Sequence, residues 1–92
     1  MEGIKHDKDK PLIADFIRDF KEPLLELCKI YEFGRNKYGL GNWQQLENGQ
    51  ERFDNALMRH FLKEGLDDET NVSHVAHVAF NALMVLWYDL HK

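Results

Sequence analysis

The stretch from Asp67 to Tyr88, DDETNVSHVAHVAFNALMVLWY, constrains the fold more than any other part of the chain. From Val75 to Tyr88 its side chains are nearly all apolar or aromatic; the polar exceptions are His77 and Asn81, with His74 just ahead. At about 100° per residue these three fall within about 60° of one another, so they share one line along a helix surface. The spacing predicts a helix from roughly Asn71 to His91 that is apolar nearly all round, and such a rod must be covered on every side. A chain of 92 residues has few other elements to cover it, so part of the rod is expected to pack against a second copy. The polar line needs a separate explanation.

Upstream, three segments read as helical. Leu12, Ile13, Phe16, Ile17 and Phe20 recur at helical spacing and predict a short amphipathic turn or two. Glu22-Pro23 suits a first helical turn, where proline's missing N–H costs nothing, and Leu24 to Phe33 supply a wide apolar face on a helix running to about Tyr38. Gly39-Leu40-Gly41-Asn42-Trp43 reads as a loop, because its glycines and asparagine favour left-handed backbone. Asn48-Gly49 then turns the chain into a helix of roughly Gln50 to Lys63, which Gly65 ends. Residues 1–11, MEGIKHDKDKP, alternate charges without apolar periodicity and read as an extended arm. The expectation is an all-α single domain over residues 1–92, a small bundle of three main helices with an N-terminal arm, completed by homo-oligomerisation.

Composition narrows the partners. The net charge of −4 disfavours nonspecific nucleic-acid binding, which draws its affinity from Lys and Arg at phosphates. The longest apolar run, Val78 to Tyr88, is interrupted by Asn81 and too short to span a bilayer. One cysteine, Cys28, cannot form an internal disulfide and reads as a small buried hydrophobe. With no signal-type segment at the N-terminus, this points to a cytoplasmic setting.

The candidate chemistry sits on the later helices. Imidazole and carboxylate are common ligands of divalent ions, and Glu69, His74 and His77, completed by His60, form one possible Mg²⁺, Mn²⁺ or heavier-ion site. Spacing alone favours a pair of buried, neutral histidines hydrogen-bonded to Asn81, Ser73 or backbone carbonyls, since an i,i+3 pair is a weak signature. Arg52 and Arg59, seven apart, lie on nearly one helix face and with His60 suit a phosphate clamp, or simply solvation. Trp43 either plugs the core or stacks on a planar base. Lys5, His6, Lys8 and Lys10 of the arm either fold over a phosphate or remain a solvated tail. The sequence holds no G-x-x-x-x-G-K-[ST], G-x-G-x-x-G or nucleophile elbow.

Taken together, KHDKDKP, FGRNKYGLGNW, NGQERFDNALMRHF and DDETNVSHVAHVAFNAL resemble the phage and bacterial family of dATP/dGTP diphosphohydrolase N-terminal domains, with its MazG-like nucleotide pyrophosphohydrolase associations. The resemblance runs from about Lys5 to Leu86. It implies an all-helical nucleotide-binding protein related to metal-dependent enzymes that release pyrophosphate from purine deoxynucleoside triphosphates. The family pattern falls on Lys37, Tyr38, Gly39, Asn42 and Trp43, on Arg52, Arg59 and His60, and on Asp67, Glu69, His74, His77 and Asn81. The roles it implies are Glu69 and His60 in catalysis, Lys37, Tyr38, Trp43, Arg52, Arg59 and Asn81 in substrate binding, and Glu69, His74 and His77 at a divalent metal, Mg²⁺ or Mn²⁺. Two positions depart from the pattern: Asn55 stands where an acidic residue is expected, and Asn71 where a glycine commonly follows the acidic turn. E-x-x-E and E-x-x-D pairs of MazG type are absent, the nearest acidic pairs, Glu22/Glu26 and Glu47/Glu51, being i,i+4. A second expectation, which Asn55 favours, is a non-catalytic oligomer that binds or sequesters a nucleotide or nucleotide signal.

Overall fold

A computed structural model describes residues 10–39 and 41–92 of the chain. Four helices follow in order: α1 Ile13–Asp19, α2 Lys21–Tyr38, α3 Gly49–Phe61 and α4 His74–Leu90, with a short 3-10 turn at Asn42–Gln45 between α2 and α3. Among the described residues no strand forms, and the one extended feature is an isolated antiparallel bridge between Leu66 and Ser73. The all-helical expectation holds, but the count of three main helices is corrected to four. The amphipathic stretch at Ile13 closes a helix of its own, and Phe20 then breaks the backbone geometry (φ −113°, ψ 27°) before α2 begins. Of the expected arm, residues 1–9, including Lys5, His6 and Lys8, lie outside the described residues.

Local chemistry sets the helix ends. Gly41 adopts a left-handed φ of 78° at the start of the 3-10 turn, and Asn48, at φ 57°, swings the chain into α3. Gly49 lies under the Tyr88 ring, where any Cβ would overlap the phenol. After α3, the Leu66–Ser73 bridge folds Asp67 to Val72 into a tight loop, in which Asp67 N–H donates to Val72 O at 2.9 Å and Asn71 takes φ 60°. Asn71 thus adopts the left-handed conformation open to it. α4 starts at His74 rather than Asn71, because the Ser73 hydroxyl accepts the Ala76 N–H at 3.0 Å as an N-cap.

α4 packs mainly against α3 and, to a lesser extent, α2. The core this makes is thin: Ile30, Val72, Ala76 and Met84 are buried, Phe80 packs beside them, and no large side chain among the described residues is wholly enclosed. The Cα radius of gyration is 16.1 Å, against about 12 Å for a compact chain of this length. Apolar surface remains outside. α1 buries none of its residues, and Val75, Leu83, Leu86 and Leu90 of α4 are exposed. Cys28, expected to be buried, is exposed as a free thiol on α2.

Candidate functional site

The polar line of α4 faces inward. His74, His77 and Asn81 are all buried, and a buried polar group costs free energy unless it is hydrogen-bonded. Each of them is satisfied. Asn81 Nδ2 donates to the His77 carbonyl one turn back at 2.8 Å. His74 Nδ1 lies 2.8 Å from His60 Nδ1 of α3, so one of the two rings donates and the other accepts. His77 stacks on His60 with centroids 4.3 Å apart and planes 12° from parallel.

The loop before α4 completes the cluster. Asp67 Oδ2 accepts from Thr70 N–H at 2.9 Å, from Thr70 Oγ1 at 3.1 Å and from Glu69 N–H at 3.1 Å, a carboxylate-capped turn that orients the side chain. Thr70 Oγ1 also lies 2.7 Å from His77 Nε2. Because the single threonine proton goes to Asp67, the consistent tautomer has His77 Nε2–H donating to Thr70. A chain of bonds therefore runs from His77 through Thr70 to Asp67.

The electrostatics agree with this arrangement. Burial lowers the His60 pKa below its ordinary value, and the nearby His77 lowers it further. Burial likewise lowers His77, against the opposing pull of Asp67. For Asp67, burial works to raise the pKa, but the Thr70 backbone and hydroxyl bonds and the His77 charge outweigh it, and the net shift is downward. Burial thus favours the uncharged forms of His60 and His77, and the bonds to Asp67 favour its ionised form, the states that bind cations. Donor atoms of His60, Asp67 and His74 lie within 4.8 Å of one another, and two imidazoles with one carboxylate are a donor set that fits a divalent metal.

Beside the cluster opens a cleft of about 640 Å³, within the size range of small-molecule sites. Tyr31, Phe33, Tyr38 and Trp43 give it aromatic walls, Arg35 and Arg52 give it positive charge, and His60, Glu69, Thr70, His77 and Asn81 line its polar side. Trp43 is half-buried, packs edge-on against Trp87 at 4.9 Å, and its carbonyl accepts the Tyr88 hydroxyl. It is anchored to α4 and still borders the cleft.

Of the residues singled out in the sequence, Tyr38, Trp43, Arg52, His60, Glu69, His77 and Asn81 therefore share one cleft. His74 stands behind His60, and Arg59 is exposed on α3 outside the cleft lining. Lys37 Nζ is 2.7 Å from Glu69 Oε2 and 5.3 Å from the Tyr38 ring centroid; the hydrogen bond to Glu69 raises its pKa. Glu69 is thereby held by Lys37, and it acts on His77 as a nearby negative charge. Two participants were not singled out. Arg35 shares a helix face with Tyr31 and Tyr38, a signal present at i, i+4 and i+7. Thr70, three residues after Asp67, carries the spacing of a side-chain-capped turn.

The fold and site define a small helical domain with a histidine–aspartate cluster beside an aromatic and arginine-lined cleft. The chain belongs to the family of dATP/dGTP diphosphohydrolase N-terminal domains, whose model matches residues 2–92. It is 35% identical over 91 residues to the dATP/dGTP diphosphohydrolase of Salmonella phage PMBT28, a match covering 95% of this chain and 30% of that protein. The chain thus spans less than a third of that relative's length. No solved structure shows a significant match.

Proposed function

We propose that this domain hydrolyses purine (deoxy)nucleoside triphosphates with a divalent metal, releasing pyrophosphate. The observation that carries the reading is a cleft lined by base-stacking aromatics and phosphate-seeking arginines that shares His60 with an adjoining metal-compatible donor set. The family and the phage relative's name supply the substrate class. Tyr38 and Trp43 would stack the base. Arg35, Arg52 and Lys37 would meet the phosphates, with Arg59 adding charge from outside the cleft lining. Asn81 would offer a polar edge. His60 and His74 would hold the metal with Asp67, and His77, through Thr70, would keep Asp67 oriented. When bound, the ion supplies charge neutralisation at the phosphates and acidifies water.

In this reaction a water oxygen forms a bond to the α-phosphorus, the bond from that phosphorus to the bridging oxygen breaks, and pyrophosphate leaves. Glu69, released from Lys37 as the phosphates take the lysine, would accept the proton of the attacking water at its carboxylate. The exposed apolar surface of α1 and α4 supports a homo-oligomer, and the single cysteine, with no internal disulfide partner, supports the cytoplasmic setting.

Incubation of the chain with dGTP or dATP and Mn²⁺ or Mg²⁺ is expected to yield pyrophosphate and the nucleoside monophosphate. Their absence across a panel of metals would sink the catalytic reading. One observation favours the alternative, a domain that only binds or sequesters a nucleotide: less than a third of the phage relative aligns, so hydrolysis there can reside in the remainder. Unhydrolysed nucleotide released from the purified protein on denaturation would support it, and metal-dependent turnover would reject it.

A further inference from the structure

We propose that His60, His74 and Asp67 are the protein ligands of a single transition-metal ion of the zinc and cobalt class, in preference to Mg²⁺, with one coordination position open toward the cleft. The inference deepens the proposed function by naming the metal class and its ligands, and it rests on that reading only in assigning the open position to a nucleotide.

Two imidazole nitrogens from different helices, His60 Nδ1 on α3 and His74 Nδ1 on α4, face each other at 2.8 Å. A tetrahedron built on metal–nitrogen bonds of about 2.0 Å has an edge of about 3.3 Å, so a small opening of this pair admits an ion. The third donor, Asp67, comes from the loop between these helices, and one donor atom from each of the three residues lies within 4.8 Å of the others. Two nitrogens and one carboxylate form the ligand set of hydrolytic metal sites, in which three protein ligands leave a position for water or substrate. Mg²⁺ prefers oxygen ligands and retains several waters, and a pair of imidazoles serves it poorly.

The surroundings are those of a supported metal site. Asp67 is fixed by three hydrogen bonds from Thr70 and Glu69, and Thr70 is in turn bonded to His77. The His60 ring is clamped between its contact with His74 and its stack on His77. Ligand carboxylates and imidazoles held in this way bind metal more tightly than mobile ones. His60 also lines the cleft, which gives the ion an entry path, whereas His74 closes the site from behind. Glu69 is a poor ligand in this arrangement because Lys37 holds its carboxylate at 2.7 Å.

The test is metal binding by the full chain without nucleotide. After stripping with a chelator, Zn²⁺, Co²⁺, Mn²⁺ and Mg²⁺ are titrated separately in a calorimeter, and the Co²⁺ form is read by its visible ligand-field bands. One Zn²⁺ or Co²⁺ per chain, at least 100-fold tighter than Mg²⁺, is expected. His60→Gln and Asp67→Asn should each weaken Zn²⁺ binding at least tenfold, and Glu69→Gln should leave it unchanged. These two ligands are half-buried where His74 is buried, and far-UV circular dichroism confirms that the variants remain folded. No stoichiometric binding, equal affinity for Mg²⁺, or unchanged Zn²⁺ affinity in both folded ligand variants would overturn the proposal. Zn²⁺ binding without dGTP hydrolysis would reject the activity alone, and Mg²⁺-supported hydrolysis without Zn²⁺ binding would reject this centre alone.

Discussion

α1 and α4 invert the usual rule in opposite ways. In α4 the polar side chains are inside, with His77 only 7% exposed; in α1 the apolar ones are outside, with Phe16 at 56% and Ile17 at 51%. Water would readily accept the first group and reject the second, so neither arrangement follows from hydrophobicity within one chain. The buried histidines are tolerated because every one has a partner, and no buried side-chain nitrogen or oxygen among the described residues lacks one. Among the described residues, the exposed phenylalanine and isoleucines have no comparable compensation. The polar line is a finished site, whereas the apolar face of α1 is surface that a neighbour would cover.

The largest effect is expected where the finished site is opened. His77→Ala would leave Thr70 Oγ1 without its ring partner, unstack His60 and create a void beside α3. Loss of a buried hydrogen bond and of side-chain volume together cost about 2–4 kcal/mol. Urea denaturation checks this, and a loss below about 0.5 kcal/mol would show that the buried line is not structurally engaged. Such a result would break the contrast with α1.

Acidification tests the same region more gently. The pKa of His60 and that of His77 are held below the ordinary 6.5, chiefly by burial. The unfolded chain therefore takes up these protons first, and stability falls as pH drops below about 6.5. The depressed Asp67 carboxyl contributes in a second window of the same sign. Its contribution is present above 3.8 and is lost as pH falls through its lower folded value. The melting temperature of metal-stripped protein should decline between pH 7.5 and 5.5, then decline further below pH 4. A flat profile across the first interval would mean that the imidazoles are not kept neutral by the fold.

How much of this could be read from the residues depends on the range of the interaction. The helices were legible because apolar spacing and turn chemistry act within a few residues, as at Asn48-Gly49 and in the last helix. That His74, His77 and Asn81 share a line followed from helical geometry alone. His60 was named beside them by residue type, but its ring contact with His74, fourteen positions away, and the separate pairing of Lys37 with Glu69, thirty-two apart, do not follow from helical geometry. Pairings of that span depend on how α3 and the Asp67 loop fold back on α4. Trp43 joins Tyr88 across forty-five positions by its carbonyl, a contact that side-chain pattern does not encode. Cys28 was misplaced because its helix offers more apolar side chains than its neighbours cover. Only one residue of α2, Ile30, is buried.

The smallest effect on the isolated fold, and the sharpest test of the contrast, lies on α1. Phe16→Ser and Ile17→Ser remove apolar groups already half in water, so within one chain each should shift stability by no more than about 0.5 kcal/mol. If a second copy covers this face, the same changes expose no new surface in the monomer but remove the reason to associate. Sedimentation velocity at micromolar concentration should then show an oligomer for the parent chain and a monomer for the double variant, with helical content unchanged. A parent chain that sediments as a monomer would remove the second copy as the cover, and α1 would stand as an exposed apolar face. A double variant that unfolds would instead show that α1 supports the fold from within, and the contrast between the two helices would fall.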